Sequence, residues 1–177
     1  MAKRAAKMPV ALQRGHDHKK CVAEALSTAD DLCAKRGARM TALRRRVLNL
    51  IWDSHAPIGA YAIMDMLKRE GRSAMPPTVY RALDFLQEQG LIHRIASLNA
   101  FIGCSRPADA HGTHYLICRR CGTVAEIENN AIGGAIAASA RELGFDMTGQ
   151  TVEIAGICRD CLQAPKQPAK RGAAHAR

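Results

Sequence analysis

The chain has 177 residues and carries 26 Lys and Arg against 16 Asp and Glu, a net charge of +10. That length buries one ordinary core or two small ones, so it excludes neither a single domain nor a pair. No apolar run reaches the ~18 residues of a membrane span, and the basic stretch Met1 to Lys20 lacks the apolar centre of a signal peptide. A soluble, cytoplasmic protein is therefore expected. The 7 cysteines are odd in number and include two C-x-x-C pairs, which favours reduced thiols and metal over a disulfide framework.

Charge sits mainly at the ends: residues 1–20 hold +5 and residues 163–177 hold +4. The middle is near neutral but contains a basic knot, Lys35, Arg36, Arg39, Arg44, Arg45 and Arg46. Two readings fit such a distribution, attraction to a phosphate backbone or a solvated surface.

The first stretch, to about His18, is rich in Ala, Lys and Arg with Pro9 and Gly15, and is expected to be disordered. Val22, Ala25, Leu26, Ala29, Leu32 and Cys33 then recur at helical spacing, predicting a helix over 19–35 that Gly37 ends. Cys21 and Cys33 have no nearby Cys or His at coordinating spacing and read as small apolar fillers. Thr41 is a good N-cap for a second helix, running to about Ser54 with Leu43, Val47, Leu50 and Ile51 on one stripe. Pro57 and Gly59 break it. A third helix spans Ala60 to Arg69 with Ile63 and Leu67 inward, and Gly71 closes it. Pro76 and Pro77 open a fourth, with Val79, Leu83 and Leu86 as its apolar face, ending at Gly90. The last three, joined by short Gly/Pro connections, make a helix-turn-helix bundle.

Residues 91–97 and 100–104 are β-type runs on either side of Leu98-Asn99, a hairpin placed as a wing behind the recognition helix. Ser105 to Ala110, with Pro107, reads as a hinge. Beyond it, 114–118 and 123–127 are strands, 130–143 an Ala-rich helix and 151–155 a third strand. After Leu162 the Pro/Lys/Ala tail is expected to be disordered.

Cys118-Arg-Arg-Cys121 is answered after 36 residues by Cys158-Arg-Asp-Cys161. Each pair places two sulfurs on one tight turn, and two turns close over one tetrahedral zinc ion. Four thiolates leave no open position, so this site is structural, and Arg119, Arg120 and Arg159 help offset its negative charge. A looser set, His93, Cys104, His111, His114 and Glu126, mixes imidazole, thiolate and carboxylate from both sides of the hinge. Those ligand types suit zinc; each residue taken singly also fits an ordinary core or surface role. On the fourth helix Thr78, Arg81 and Asp84 lie off the apolar stripe. An Arg there is placed for bidentate contact with guanine, or for simple solvation.

The run Thr78-Val-Tyr-Arg-Ala-Leu83, the wing, a His-containing hinge exit, Leu116-Ile-Cys-Arg-Arg-Cys-Gly122 and the late C-x-x-C together resemble the ferric uptake regulator family of metal-responsive bacterial repressors, over about residues 19–162. Iron-sensing members usually carry His-His-Asp-His before the first C-x-x-C; here the residues are Ala110-His-Gly-Thr-His114, and Cys104 closes the wing. The swap to softer ligands makes the chain most similar to the zinc uptake branch. The resemblance implies a regulatory zinc held by His93, Cys104, His111 and Glu126, with His114 as an alternative ligand or part of a further site. It implies that Tyr61 and Arg81 contact operator bases with Tyr80 near the backbone; Thr78, Arg39 and Arg44 complete the expected DNA-binding set. It further implies a homodimer built through the C-terminal sheet, and one or two dimers per operator. Asp65 and Lys68 match positions that pair charges between dimers, although Lys lacks the bidentate fork of the more usual Arg.

The expected fold is α+β: a basic tail over 1–18, a winged-helix DNA-binding domain over 19–104, a hinge over 105–110, a small α/β zinc-binding dimerisation domain over 111–162 and a second tail over 163–177. The function this implies is zinc-dependent repression of zinc-uptake genes, with one structural and one regulatory Zn2+ per chain, double-stranded operator DNA as partner and no membrane association. Two rivals remain at this point. Within the family, the signal is iron, manganese, nickel or peroxide; outside it, the protein is a zinc hydrolase, against which no Glu or Asp is spaced as a general base beside the cluster.

Overall fold

The computed structural model describes residues 17–53, 56–108, 113–127 and 129–164. Helix α1 spans His18–Lys35, and its first turn is capped by Asp17, whose carboxylate accepts from the Lys20 N–H at 3.2 Å. Helix α2 spans Ala42–Trp52, with Thr41 as the predicted cap accepting from the Arg44 N–H at 3.3 Å; Ser54, where its predicted end falls, lies outside the described residues. Helices α3 (Ala60–Arg69) and α4 (Pro76–Glu88) start and stop close to the positions that their glycines and prolines mark. The predicted stripes pack into one core: Val47, Ile51, Ile63, Leu67, Val79, Leu83 and Leu86 are at most 1% exposed. Each such side chain contributes about 1.5–3 kcal/mol on burial. Cys33 is buried in the same core, as an apolar filler should be.

Strands β1 (Ile92–Ile95) and β2 (Ala100–Gly103) form the antiparallel wing. The first strand is shorter than the run of residues predicts. Ala96–Leu98 wind into a 3-10 turn, and Asn99 takes the left-handed conformation at φ 46°, which a short amide side chain tolerates better than most residues do.

Because side chains alternate along a strand, the wing has two faces. Ile92 and Phe101 join the helical core, while Ile95 and Ile102 join a second cluster with Tyr115, Ile117 and Val124 of the C-terminal sheet. Gly103 lies on the helical side, where an added methyl group would overlap the Trp52 indole. Gly103→Ala is expected to destabilise the protein by about 1–3 kcal/mol, as overpacking does, measured by chemical denaturation; an unchanged midpoint would mean that the indole moves aside freely.

The C-terminal sheet has the order β4-β3-β5, with β3 (Thr113–Cys118) antiparallel to β4 (Val124–Ile127) and parallel to β5 (Thr151–Gly156). The chain returns from the end of β3 through β4, and helix α5 (Asn130–Glu142) then joins β4 to β5 on the far side of β3. A five-residue helix α6, Arg159–Gln163, follows β5 and was not legible in the sequence. The elements together are α+β, as expected. Among the described residues, no helix is long and apolar enough to cross a membrane.

Candidate metal centre

Strand β3 delivers Cys118 to a tight turn in which the Gly122 N–H donates to the Cys118 carbonyl at 2.9 Å. Gly122 closes that turn at φ 76°, a left-handed conformation that favours glycine. Strand β5, hydrogen-bonded beside β3, delivers Cys158 to the N-cap position of α6, and Cys161 sits one turn further on. The ligand atoms of Cys118, Cys121, Cys158 and Cys161 all lie within 4.8 Å of one another. A zinc–sulfur distance near 2.3 Å gives a tetrahedron with edges of about 3.8 Å. Between Cys121 Sγ and Cys158 Sγ the separation is 3.7 Å, so the residues present fit zinc.

The thiols also show why such a quartet calls for a cation. Burial pushes the Cys118 thiol up, but hydrogen bonds from the backbone N–H groups of Cys158, Cys121 and Arg120 outweigh it and bring the thiol down to about 6. Burial and the sulfurs of Cys158, Cys121 and Cys118 push Cys161 up to about 12. Adjacent sulfurs therefore resist becoming thiolates together, a cost that a bound dication removes. Arg120 donates to the carbonyls of Cys161 and Ala164, holding the far end of α6 to the first C-x-x-C turn.

A second group joins the two ends of the molecule. His93 of β1, Cys104 just past β2 and Glu126 of β4 each offer a ligand atom within 4.8 Å of the others. Cys104 is 3% exposed, and its N–H donates to the Leu91 carbonyl at 3.0 Å, which fixes it at the base of the wing. Glu126 accepts from the Ser105 hydroxyl at 2.9 Å, and the His93 ring lies 6.1 Å from the Tyr115 ring. An imidazole, a thiolate and a carboxylate fit a zinc site that a fourth ligand would close. His111, the fourth expected ligand, lies outside the described residues. His114 is not drawn into this group: it is buried, its Nε2 2.7 Å from the side-chain amide of Gln150. Strand alternation turns it away from the face of Tyr115.

On the helical side, Tyr61 is 73% exposed at the start of α3, and Thr78, Tyr80, Arg81 and Asp84 are exposed along α4. The basic knot is more structural than its composition implies. Arg45 pairs with Asp30, tying α2 to α1, and Arg46 makes a forked contact with Glu70 beyond the end of α3. Arg36 donates to the Gln89 carbonyl at 2.7 Å. Arg44 stacks over Phe85, 3.5 Å from the ring centre, and donates to the Arg39 carbonyl; Arg39 itself is exposed. Asp65 and Lys68 face each other on α3 at 3.9 Å.

One contact that sequence reasoning did not single out crosses between the two ends. The carboxylate of Glu153 on β5 accepts from the Ala96 N–H at 2.7 Å and the Ser97 N–H at 3.1 Å. The available signal was a charged residue between the apolar Val152 and Ile154 of a strand.

Residues 35–155 match the Ferric uptake regulator family. The chain is 36% identical over 141 residues to the zinc uptake regulation protein of Escherichia coli (strain K12), covering 79% of this chain and 82% of that protein. It is 30% identical over 128 residues to the zinc uptake regulation protein of Mycobacterium tuberculosis (strain CDC 1551 / Oshkosh), covering 71% and 95%. A solved zinc uptake regulator complexed with zinc and DNA is similar at 36% identity with a TM-score of 0.76, over 80% of this chain and 95% of that one. The crystal structure of holo XcZur is similar at 38% identity and a TM-score of 0.73, over 78% and 97%. With more than half its length matched and the four-cysteine cluster and wing in place, the chain belongs to the ferric uptake regulator family.

Proposed function

We propose that this chain is a zinc-responsive transcriptional repressor, which binds operator DNA as a dimer when a regulatory zinc site is filled and so controls zinc-uptake genes. The observation that carries this reading is the convergence of His93 and Cys104 from the wing with Glu126 from the sheet. The zinc uptake regulation proteins among its relatives, and the similar structure containing zinc and DNA, support it. The buried thiol of Cys104 favours zinc over harder ions such as iron or manganese.

Two metal sites per chain follow, a structural one at the four cysteines and a regulatory one at His93, Cys104, Glu126 and His111. When bound at the second, zinc supplies a dication that draws imidazole, thiolate and carboxylate to one point. His93 and Cys104 then fix the base of the wing, and Glu126 fixes β4, so the winged-helix part over 19–104 holds one angle to the dimerisation part over 111–162. That arrangement is the one favoured for DNA, and metal biases its population. In it, Tyr61 and Arg81 read bases, Thr78 and Tyr80 lie against the backbone, and Arg39 adds a phosphate contact; Arg44 keeps its guanidinium within the fold. Residues 105–110 act as the hinge, and the setting is cytoplasmic. Asp65 and Lys68, paired on one helix, are available to a second dimer on the same operator.

A mobility-shift titration of zinc-uptake operator DNA tests this. Retarded complex is expected with zinc and none after chelation of the labile ion; zinc-independent binding would overturn the regulatory reading. In the same assay Arg81→Ala is expected to lose about 1–3 kcal/mol of specific binding, with dimerisation and zinc content intact. Unchanged affinity would remove Arg81 from the interface.

A further inference from the structure

In the register of the C-terminal sheet, Tyr115 of β3 lies opposite Glu126 of β4 on one side and opposite Glu153 of β5 on the other. Residues paired across a sheet point to the same face, so Glu126, Tyr115 and Glu153 form one row that faces the wing. Its three members meet different parts of the wing. Glu126 joins His93 and Cys104 at the base, Tyr115 lies against His93, and Glu153 receives the Ala96 and Ser97 N–H groups beside the tip. Between them Ile95 and Ile102 are packed on Tyr115, Ile117 and Val124.

We propose that Glu153 is a positioning residue, a metal-independent latch that holds the wing tip on the C-terminal sheet and thereby sets the zinc concentration at which the DNA-competent arrangement forms. The proposal rests on the zinc-responsive reading above. A wing held only at its base can pivot; held also at the tip, it cannot. Two backbone donors converging on one carboxylate make a charge-assisted pair of hydrogen bonds, and both partners exist before any metal arrives. Hydrogen bonds from Ser97, side chain and backbone, and from Ala96 hold the Glu153 carboxyl below the usual carboxylate range, so it is ionised at neutral pH. The latch and the metal ligands favour the same closed state, so removing the latch raises the metal needed to populate it without removing the ability to reach it.

The test compares wild type, Glu153→Ala and Glu153→Gln in zinc titrations of operator binding. Amide hydrogen exchange is followed at Ala96 and Ser97 after chelation of the labile zinc. Glu153→Ala is expected to raise the zinc midpoint about tenfold, with full occupancy at saturating zinc. Glu153→Gln, which keeps one accepting oxygen, is expected to raise it about threefold. Both amides should lose protection in Glu153→Ala while zinc at the four cysteines and the melting temperature stay at wild-type values. An unchanged midpoint beside a zinc-responsive wild type overturns the latch. So does loss of operator binding at every zinc concentration together with a lowered melting temperature, which would mark Glu153 as merely structural. A wild type with no zinc response would instead overturn the regulatory reading, and the amide protection would still decide the latch.

Discussion

Cys118→Ser is expected to cost the protein one tightly held zinc per chain and, with it, the C-terminal fold. Few apolar side chains there can replace the metal. Among the described residues, the cluster beneath the sheet has four buried members, Ile95, Tyr115, Ile117 and Val124, and one of these belongs to the wing. Helix α5 buries none of its residues among those described, and α6 is only five residues long, far below the ~12–15 that an isolated helix needs. Small units of this kind depend on a staple, and structural zinc contributes roughly 10 kcal/mol or more in comparable peptides. The helical core has its own packing and should persist. Metal analysis together with amide exchange checks the expectation: exchange across β3, β4 and β5 should become fast while α2 and α4 stay protected. A variant that keeps both the zinc and a protected sheet would show that the quartet is not what holds this half together.

Cys104→Ser should leave that half intact and remove the response to zinc. The Cys104 sulfur is enclosed at the base of the wing and is the softest donor of its group; a serine hydroxyl does not become an anion in the range where a thiol does. On the ligand role proposed for Cys104, its loss is expected to weaken the labile zinc by at least ~100-fold, the upper end of what even indirect partners of a metal cost. Operator binding at zinc levels that saturate the wild type should disappear, with the tightly held zinc and the dimer retained. Competition against a chromogenic chelator measures the affinity directly. An unaltered zinc midpoint would exclude Cys104 from the site. The two cysteine variants thus test the proposed structural and regulatory sites separately.

Helix limits were legible because they depend on neighbours in sequence: Thr41 caps its own helix, and Gly37 and Gly71 sit at positive φ just beyond theirs. The four-cysteine cluster was legible because each C-x-x-C spacing sets two sulfurs on one tight turn, and the two turns meet in the fold. What escaped depends on partners distant in the chain. Composition cannot reveal that Arg45 answers Asp30 or that Arg46 answers Glu70, so the basic knot read as a candidate phosphate surface. Helix α6 shows no apolar period in five residues and owes its place to the cysteines at either end of its first turn. Ligand types pointed to His93, Cys104 and Glu126, but only strand alternation shows His114 engaged elsewhere, beside Gln150. The wing was visible as a hairpin; that each of its faces belongs to a different core was not.

That last feature bears on how genetic data for this protein should be read. A hairpin serving as a shared wall has no neutral side, so substitutions at Ile95 or Ile102 should surface in a screen for derepressed strains although both side chains are packed against the C-terminal sheet. The map of inactivating alleles will accordingly be wider than the footprint on DNA, and a cluster of them along the wing would report lost leverage rather than lost contact.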